Sequence, residues 1–503
     1  MDGGSIIMQF ILILLLALPI TLILYFKTQN PKHAKQELPP PGPPRLPLIG
    51  NLHHFDGRSP HTYLGRLSKQ YGAVMSLQLG LRRLVVISSA EAVKEIMTSH
   101  DVVFSSRPAL VALRRLLYDG LDFAFSPYME TSREMKKIST VHLFSAKRVQ
   151  TFLPIIRDEV SKMTERIARD ASLSAATDLS ETMMLFAANT VARVAFGKRY
   201  GETKQRFVDL LHDAEAVLGG LFMEDFLLWL RWIDNLSGMA AKLDKVFQDM
   251  DAFCEEVIEE HMKPNRPKSM EGDIIDVMLK MERDGSASFD LTLDHIKALL
   301  VGIIVGGSDG TSAALVWALT ALMKKPSSMK KVQAEIRQLA GEKEMIDEED
   351  IKKLPYFRAV VKETLRLYPS APLLLPRETT KKCRINGYEI EGGSMVYINA
   401  WAIARDPATW ENADEFLPER FLAAEIDARG QNPTVIPFGF GRRGCPGIGI
   451  GMSQVELALA NVLYKFEWEL PHGMKEEDID FDSQQGLAMH KKNALRLVAK
   501  VAI

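Results

Sequence analysis

The run Pro437-Phe438-Gly439-Phe440-Gly441-Arg442-Arg443-Gly444-Cys445-Pro446-Gly447 sets one cysteine and two adjacent arginines among six glycines and prolines. A cysteine thiolate binds soft metal centres, and glycines let a flat ligand lie against the backbone. Ile448 to Phe466 reads as a helix, so Cys445 stands at a helix N-terminus. The free N–H groups and positive dipole end there favour a negative sulfur. These residues point to Cys445 as the axial ligand of a haem. Cys254 and Cys383 have no such setting and read as structural.

Two other patterns offer different chemistry. Gly439, Gly441 and Gly444 have the G-x-G-x-x-G spacing of dinucleotide folds. They fall late in the chain, Arg442-Arg443 interrupts the turn, and no strand–helix alternation follows, so the required context is missing. Gly306-Gly307-Ser308-Asp309-Gly310 has the G-x-S-x-G spacing of a serine-hydrolase elbow, with His490 downstream. Helical periodicity on both sides argues against a strand–turn–helix there. Labelling of Ser308 by a fluorophosphonate probe would favour that alternative.

The chain that must position these groups has 503 residues and a net charge of −2, which gives no case for nucleic acid. Three cysteines make no disulfide framework and fit a reducing compartment. Ile6 to Phe26 is apolar apart from Gln9 and Thr21, and about 20 such residues cross a bilayer as a helix. Lys27, Lys32 and Lys35 follow it and no Lys or Arg precedes it. That reads as a retained anchor with the body in the cytosol, rather than a cleaved signal peptide. Pro39 to Arg45 reads as a stiff linker. The sequence thus divides into an anchor (1–26), a basic, proline-rich hinge (27–45) and one large domain (46–503).

Within that domain a hairpin is expected around Leu79-Gly80-Leu81, with Ser89 capping a helix from Ala90. From about Glu130 to His261 the pattern is mostly helical. Val217 to Ile233 is unusually apolar and aromatic, and both a buried core segment and a loop dipping into lipid explain it. Lys263 to Asp273 reads as an exposed loop. Leu291 to Lys324 reads as one long helix, roughly 50 Å at 1.5 Å per residue, capped by Asp290 or Thr292. It carries Gly302, Gly306, Gly307 and Gly310, each costing about 1 kcal/mol relative to alanine. Close approach of a ligand and close helix packing both account for them. Further helices (Ser328 to Leu339, Pro355 to Leu367), a hairpin at Asn386-Gly387, a surface coil from Asn399 to Phe421 and C-terminal strands from Phe481 to Val501 complete the pattern. The fold class is mainly α with smaller β-sheets (α+β).

These residues, taken in order, resemble the cytochrome P450 haem-thiolate monooxygenases over essentially the whole chain, most closely the plant microsomal A-type group. Pro40 to Arg45 resembles the hinge that follows the family's anchor. Glu363-Thr364-Leu365-Arg366 matches E-x-x-R, and Pro418-Glu419-Arg420-Phe421 matches P-E-R-F. Phe438, Gly441, Arg443, Cys445 and Gly447 match F-x-x-G-x-R-x-C-x-G.

The resemblance implies the P450 fold with one N-terminal transmembrane helix and a single-pass position in the endoplasmic reticulum membrane. It implies haem b, with Gly306 and Gly307 facing it and Cys445 as the iron ligand, whose thiolate pushes electron density onto the iron. It implies a buried triad of Glu363, Arg366 and Arg420 and places Arg443, Arg133 and Arg377 on the haem propionates. Ser132 stands where the family usually has tryptophan. The implied partners are NADPH–cytochrome P450 reductase, the lipid bilayer and a hydrophobic small molecule. NADPH and O2 are the implied co-substrates. Lys136, Lys137, Lys147, Arg148 and Arg442 offer a docking face for the reductase or are an ordinary solvated surface.

The resemblance also implies a pocket built from Phe104 to Phe123, Val217 to Phe226, Ile303 to Gly310, Ala371 to Leu375 and Gly486 to Met489. The family's A/G-G-x-D/E-T pattern uses an acid and an alcohol to relay protons. Asp309 matches the acid, but Gly310 takes the place of threonine, and Thr311 comes one residue, or about 100° of helix, later. A water or substrate hydroxyl could substitute, a helix distortion could bring Thr311 inward, or the reaction could be a coupling, desaturation or rearrangement that tolerates poor proton delivery.

Overall fold

A computed structural model describes residues 38–502 apart from 55–58, 200–204, 265–271, 424–425, 427–429 and 485. The expected anchor at Ile6 to Phe26 and the lysines Lys27, Lys32 and Lys35 lie outside the described residues. The remainder is mainly helical with small sheets. Helices α1 (Glu130–Ile138), α2 (Leu179–Phe196), α3 (Gln205–Leu218), α4 (Leu293–Lys324), α5 (Pro355–Leu367) and α6 (Ile448–Lys465) frame the site. So do strands β1 (Val74–Leu79), β2 (Arg82–Ile87), β3 (Arg377–Glu378) and β4 (Met395–Ile398).

Helix α4 is the axis. Thr292 caps it, with His295 at the third position folding back on the Thr292 hydroxyl at 2.8 Å. It is apolar on nearly every face, as expected of a helix surrounded by protein. By length and composition it could cross a bilayer, but 78% of its most apolar window is buried inside the domain. It packs against α2, α5 and α6. Helix α2 starts at the Asp178 cap, whose carboxylate accepts from Glu181 N–H at 3.0 Å, and stops at left-handed Gly197. Helix α5 starts with Pro355 at its first turn, where the missing N–H costs no bond.

The larger sheet has the order β1-β2-β4-β3. β1 and β2 pair antiparallel across Gly80-Leu81, with Leu77 opposite Leu84. β2 runs parallel to β4, with Val85 opposite Val396. The proline-rich segment is no free spacer where it is described. Ser76 donates its N–H to Pro41 O and its hydroxyl to Pro40 O, both at 2.8 Å, so this stretch lies against β1.

Val217 to Ile233 divides between its two readings. Phe222, Phe226 and Leu227 are buried against the domain, and a Cβ at Gly80 would collide with Phe226 O. Leu221, Leu228, Trp229 and Trp232 are exposed. Asn386-Gly387 forms its hairpin turn with positive φ at both residues.

Candidate active site

A cavity of about 310 Å³ lies between α4 and the loop that enters α6, and its walls are mostly apolar. Cys445 faces it from the α6 side. Its N–H donates to Phe438 O at 2.9 Å, and Phe438 and Gly447 form part of the same wall. The thiol is exposed onto the cavity. Burial pushes the thiol up, while the Gly447 N–H and the nearby Lys136 favour the thiolate. Coordination to a metal deprotonates such a thiol outright. Gly441 is required for another reason: its φ is +59°, and a Cβ there would strike the Asp101 carboxylate, which accepts the Arg442 N–H at 3.1 Å.

The glycines of α4 serve two purposes. A Cβ at Gly306 would meet nothing within 4 Å and would stand in the cavity, so this position lets a flat group approach the helix. A Cβ at Gly307 would come within 2.8 Å of Val191 Cγ2 on α2. Gly307 thus lines the cavity and is also needed for helix packing, so both readings of the glycines hold there.

Four cations converge at one edge of the cavity: Arg107, Lys136, Arg377 and Arg443. Arg443 donates to Phe123 O at 2.7 Å and Ser126 O at 2.6 Å, while Arg377 donates to Phe104 O and Phe440 O at 3.3 and 3.2 Å. Arg107 donates to Leu375 O and Pro376 O, both at 2.7 Å. Burial pushes Arg377 and Arg443 down to about 10. Burial, reinforced by repulsion from Arg443, Arg107 and Arg377, pushes Lys136 down to about 8. Cations held together in a buried place are relieved by an anion. A flat apolar group bearing carboxylates fits both the slot and this edge.

Arg133 is corrected by the same geometry. It is exposed on the outer side of α1, and Lys136 lines the cavity in its place. Ser132 faces inward and its hydroxyl accepts Met129 N–H at 3.1 Å; Lys136 is one helical turn further on. The spacing of four from the inward-facing Ser132 was the available signal in the sequence. Lys136 and the half-buried Arg148, which donates to Asp273 O at 3.4 Å, drop out of the exposed basic surface, which keeps Lys137, Lys147 and Arg442.

Behind the Cys445 side, Glu363, Arg366 and Arg420 meet. Arg366 forks onto Glu363 at 2.7 and 2.9 Å, and Arg420 Nε donates to Glu363 Oε1 at 3.1 Å. Arg366 also donates to Ala413 O and Glu415 O at 2.8 and 3.1 Å. It thereby ties α5 to the coil that Trp410 anchors. Glu363 and Arg366 have no exposed side-chain surface.

On the α4 side, Asp309, Gly310 and Thr311 all line the cavity. The helix is continuous, and Thr311 Oγ1 donates to Gly307 O at 3.1 Å. Ser308 is buried within the helix and donates to Ile304 O at 2.9 Å, so no elbow exists and the hydrolase reading has no support. Asp309 is fully engaged: Oδ2 accepts Ala488 N–H at 2.9 Å and Oδ1 contacts His490 Nε2. Glu215 on α3 stands beside both. No local spacing links residues 215, 309 and 490, so sequence reasoning missed this cluster.

Burial, with the charge of Asp309, pushes Glu215 up to about 8. Asp309 holds His490 above its ordinary value despite burial. Both folded-state values are raised. Their contribution is complete at low pH and is lost as pH rises, for Glu215 from the ordinary carboxylate range to about 8, and for His490 above about 6.5. The melting temperature should therefore fall as pH rises from about 4.5 to about 8, and Glu215→Gln should flatten that fall. Equal slopes for the two proteins by calorimetry would refute the assignment.

The cytochrome P450 family pattern matches residues 40–498. The chain is 46% identical over 500 residues to 6,7,8-trihydroxycoumarin synthase of Pastinaca sativa, covering 97% of this chain and 98% of that one. It is 40% identical over 481 residues to strychnine-11-hydroxylase of Strychnos nux-vomica, covering 95% and 94%. A zebra fish cytochrome P450 structure with progesterone covers 88% of this chain and 99% of its own, at a TM-score of 0.75 and 24% identity, which bears on the fold alone. The chain belongs to the cytochrome P450 family, as a monooxygenase of the plant A-type group.

Proposed function

We propose that the protein is a membrane-anchored enzyme that oxidises a hydrophobic plant specialised metabolite, using O2 and electrons passed from NADPH by cytochrome P450 reductase. The observation that carries this is the slot between Gly306 and Cys445 with its edge of buried cations. Haem b, held by the Cys445 thiolate, supplies dioxygen activation when bound. Arg443, Arg377, Arg107 and Lys136 would hold its propionates, and the triad of Glu363, Arg366 and Arg420 would keep the Cys445 side rigid.

The rest of the slot selects the substrate. Phe123, Leu218, Ile303, Ala371 and Leu487 give it an apolar lining, which suits a flat or polycyclic molecule. A coumarin or an alkaloid has that shape, and the relatives' names favour those two classes. A second cavity of about 170 Å³ shares Leu218, Ala371 and Leu487 with the first and extends towards Phe222, Phe226 and β4. It would serve as an entry route. Leu221 at its wall and the exposed Leu228, Trp229 and Trp232 would rest in the bilayer that the 1–26 anchor would cross. Arg133, Lys137, Lys147 and Arg442 would meet the reductase.

The test is a metabolite screen on vesicles carrying the full chain and the reductase, supplied with NADPH and isotopically labelled O2. The expected result is NADPH-dependent product carrying the label, and vesicle association that weakens when residues 1–45 are removed. Product without the label would favour coupling, desaturation or rearrangement. No NADPH-dependent product from either compound class would sink the proposal.

A further inference from the structure

Position 310 has no side chain, yet a hydroxyl stands next to it. Ser370 follows the end of α5, lines the same cavity as Asp309 and Gly310, and donates its Oγ–H to Gly310 O at 2.9 Å. The Ser370 Cβ lies 3.9 Å from where a Cβ at position 310 would stand, and nothing else from outside the helix lies within 4 Å of that point. Ser370 is thus the side chain that neighbours position 310.

Ser370 is also held in place. Met489 N–H donates to Ser370 O at 2.7 Å, and Met489 O in turn accepts from Trp317 Nε1 on α4 at 2.7 Å. The neighbouring Tyr368 ring stacks on Trp317 with centroids 5.0 Å apart. The residues on either side of Met489 hold the acid: Ala488 N–H and His490 both contact the Asp309 carboxylate. Three consecutive residues, 488 to 490, therefore fix Ser370 and Asp309 relative to each other.

We propose that Ser370 supplies the distal hydroxyl that Gly310 cannot, so that the acid–alcohol pair of this enzyme comes from two chain segments clamped by residues 488–490. With its proton committed to Gly310 O, the Ser370 oxygen keeps lone pairs for a cavity water. It holds that water in hydrogen-bond reach of the reacting face, and the proton travels on the water, leaving the hydroxyl unchanged. Ser370 is thus a positioning residue. Thr311 is the weaker candidate, because it is buried within its helix, whereas Ser370 is half-buried. The inference rests on the haem-oxygenase reading above, and a thiolate-type carbon monoxide spectrum checks that reading separately in each variant.

The test compares Ser370→Ala, Ser370→Thr, Thr311→Val and Gly310→Thr combined with Ser370→Ala. Two quantities are read: the share of NADPH electrons that reaches product instead of hydrogen peroxide, and the C–O stretching band of the reduced carbon monoxide adduct, which needs no turnover. Ser370→Ala should lower coupling about ten-fold, raise the solvent isotope effect and shift the C–O band. Ser370→Thr should keep both quantities near native. Gly310→Thr should recover coupling in the Ser370→Ala background, because a Cβ at 310 meets only ordinary contact at 3.9 Å and its hydroxyl would replace the lost one. An unchanged C–O band and coupling in Ser370→Ala would overturn the proposal. So would a loss in Ser370→Ala that neither threonine restores, or a larger loss in Thr311→Val. If the native protein gives no thiolate-type spectrum, the proposal falls with the reading beneath it.

Discussion

Cys445→Ala is expected to fold and yet lose reductase-supported turnover to below detection, together with most of its bound haem. The side chain faces the cavity and belongs to none of the hydrophobic core clusters, so folding of the chain should not depend on it. Losing even outer partners of a metal ligand typically costs about 10–100-fold in affinity or activity. Losing the sole protein ligand should cost far more. Haem content per mole of purified protein and product per NADPH measure the two effects. A variant that keeps native haem content and turnover would show that the iron is held elsewhere.

The second large effect lies in the triad. Arg366→Ala should destabilise the domain by about 3–5 kcal/mol, because it leaves the fully buried Glu363 with only part of its compensation. Glu363 would keep Arg420 and the Leu417 N–H at 2.8 Å but lose the two-pronged contact. The carbonyls of Ala413 and Glu415 would lose a donor at the same time. Arg366→Lys should recover only a fraction, since an ammonium cannot reproduce the fork. Arg420→Ala should cost less than Arg366→Ala, because Arg420 is partly exposed and Glu363 retains its paired arginine. Denaturant midpoints and the haem-loaded fraction measure the order. An Arg366→Ala midpoint equal to native would remove the triad from any account of stability.

Much of this site was legible in the sequence because its chemistry is local. The turn around Cys445, the E-x-x-R spacing and α4 with its cap and glycines are each set by residues close in the chain. The bounds of α5 agree with the expected Pro355 to Leu367, and α4 begins at Leu293 where Leu291 was expected. Distant contacts were harder to see. Glu215 and His490 reach Asp309 from other segments, and Ser370 reaches Gly310 across 60 residues. Arg133 shows a second limit. Helical neighbours differ by about 100° in direction, so a residue one place from the right position can face solvent or a packed helix instead. Val217 to Ile233 could not be assigned to core or surface because it supplies both.

The central claim is that Cys445 presents a thiolate to a haem in this cavity. The direct measurement is the carbon monoxide difference spectrum of the reduced, purified full-length protein. A red-shifted Soret band typical of thiolate ligation, absent in Cys445→Ala, is the predicted result. A haem-free protein, an unshifted band, or a red-shifted band that survives in Cys445→Ala would contradict the account.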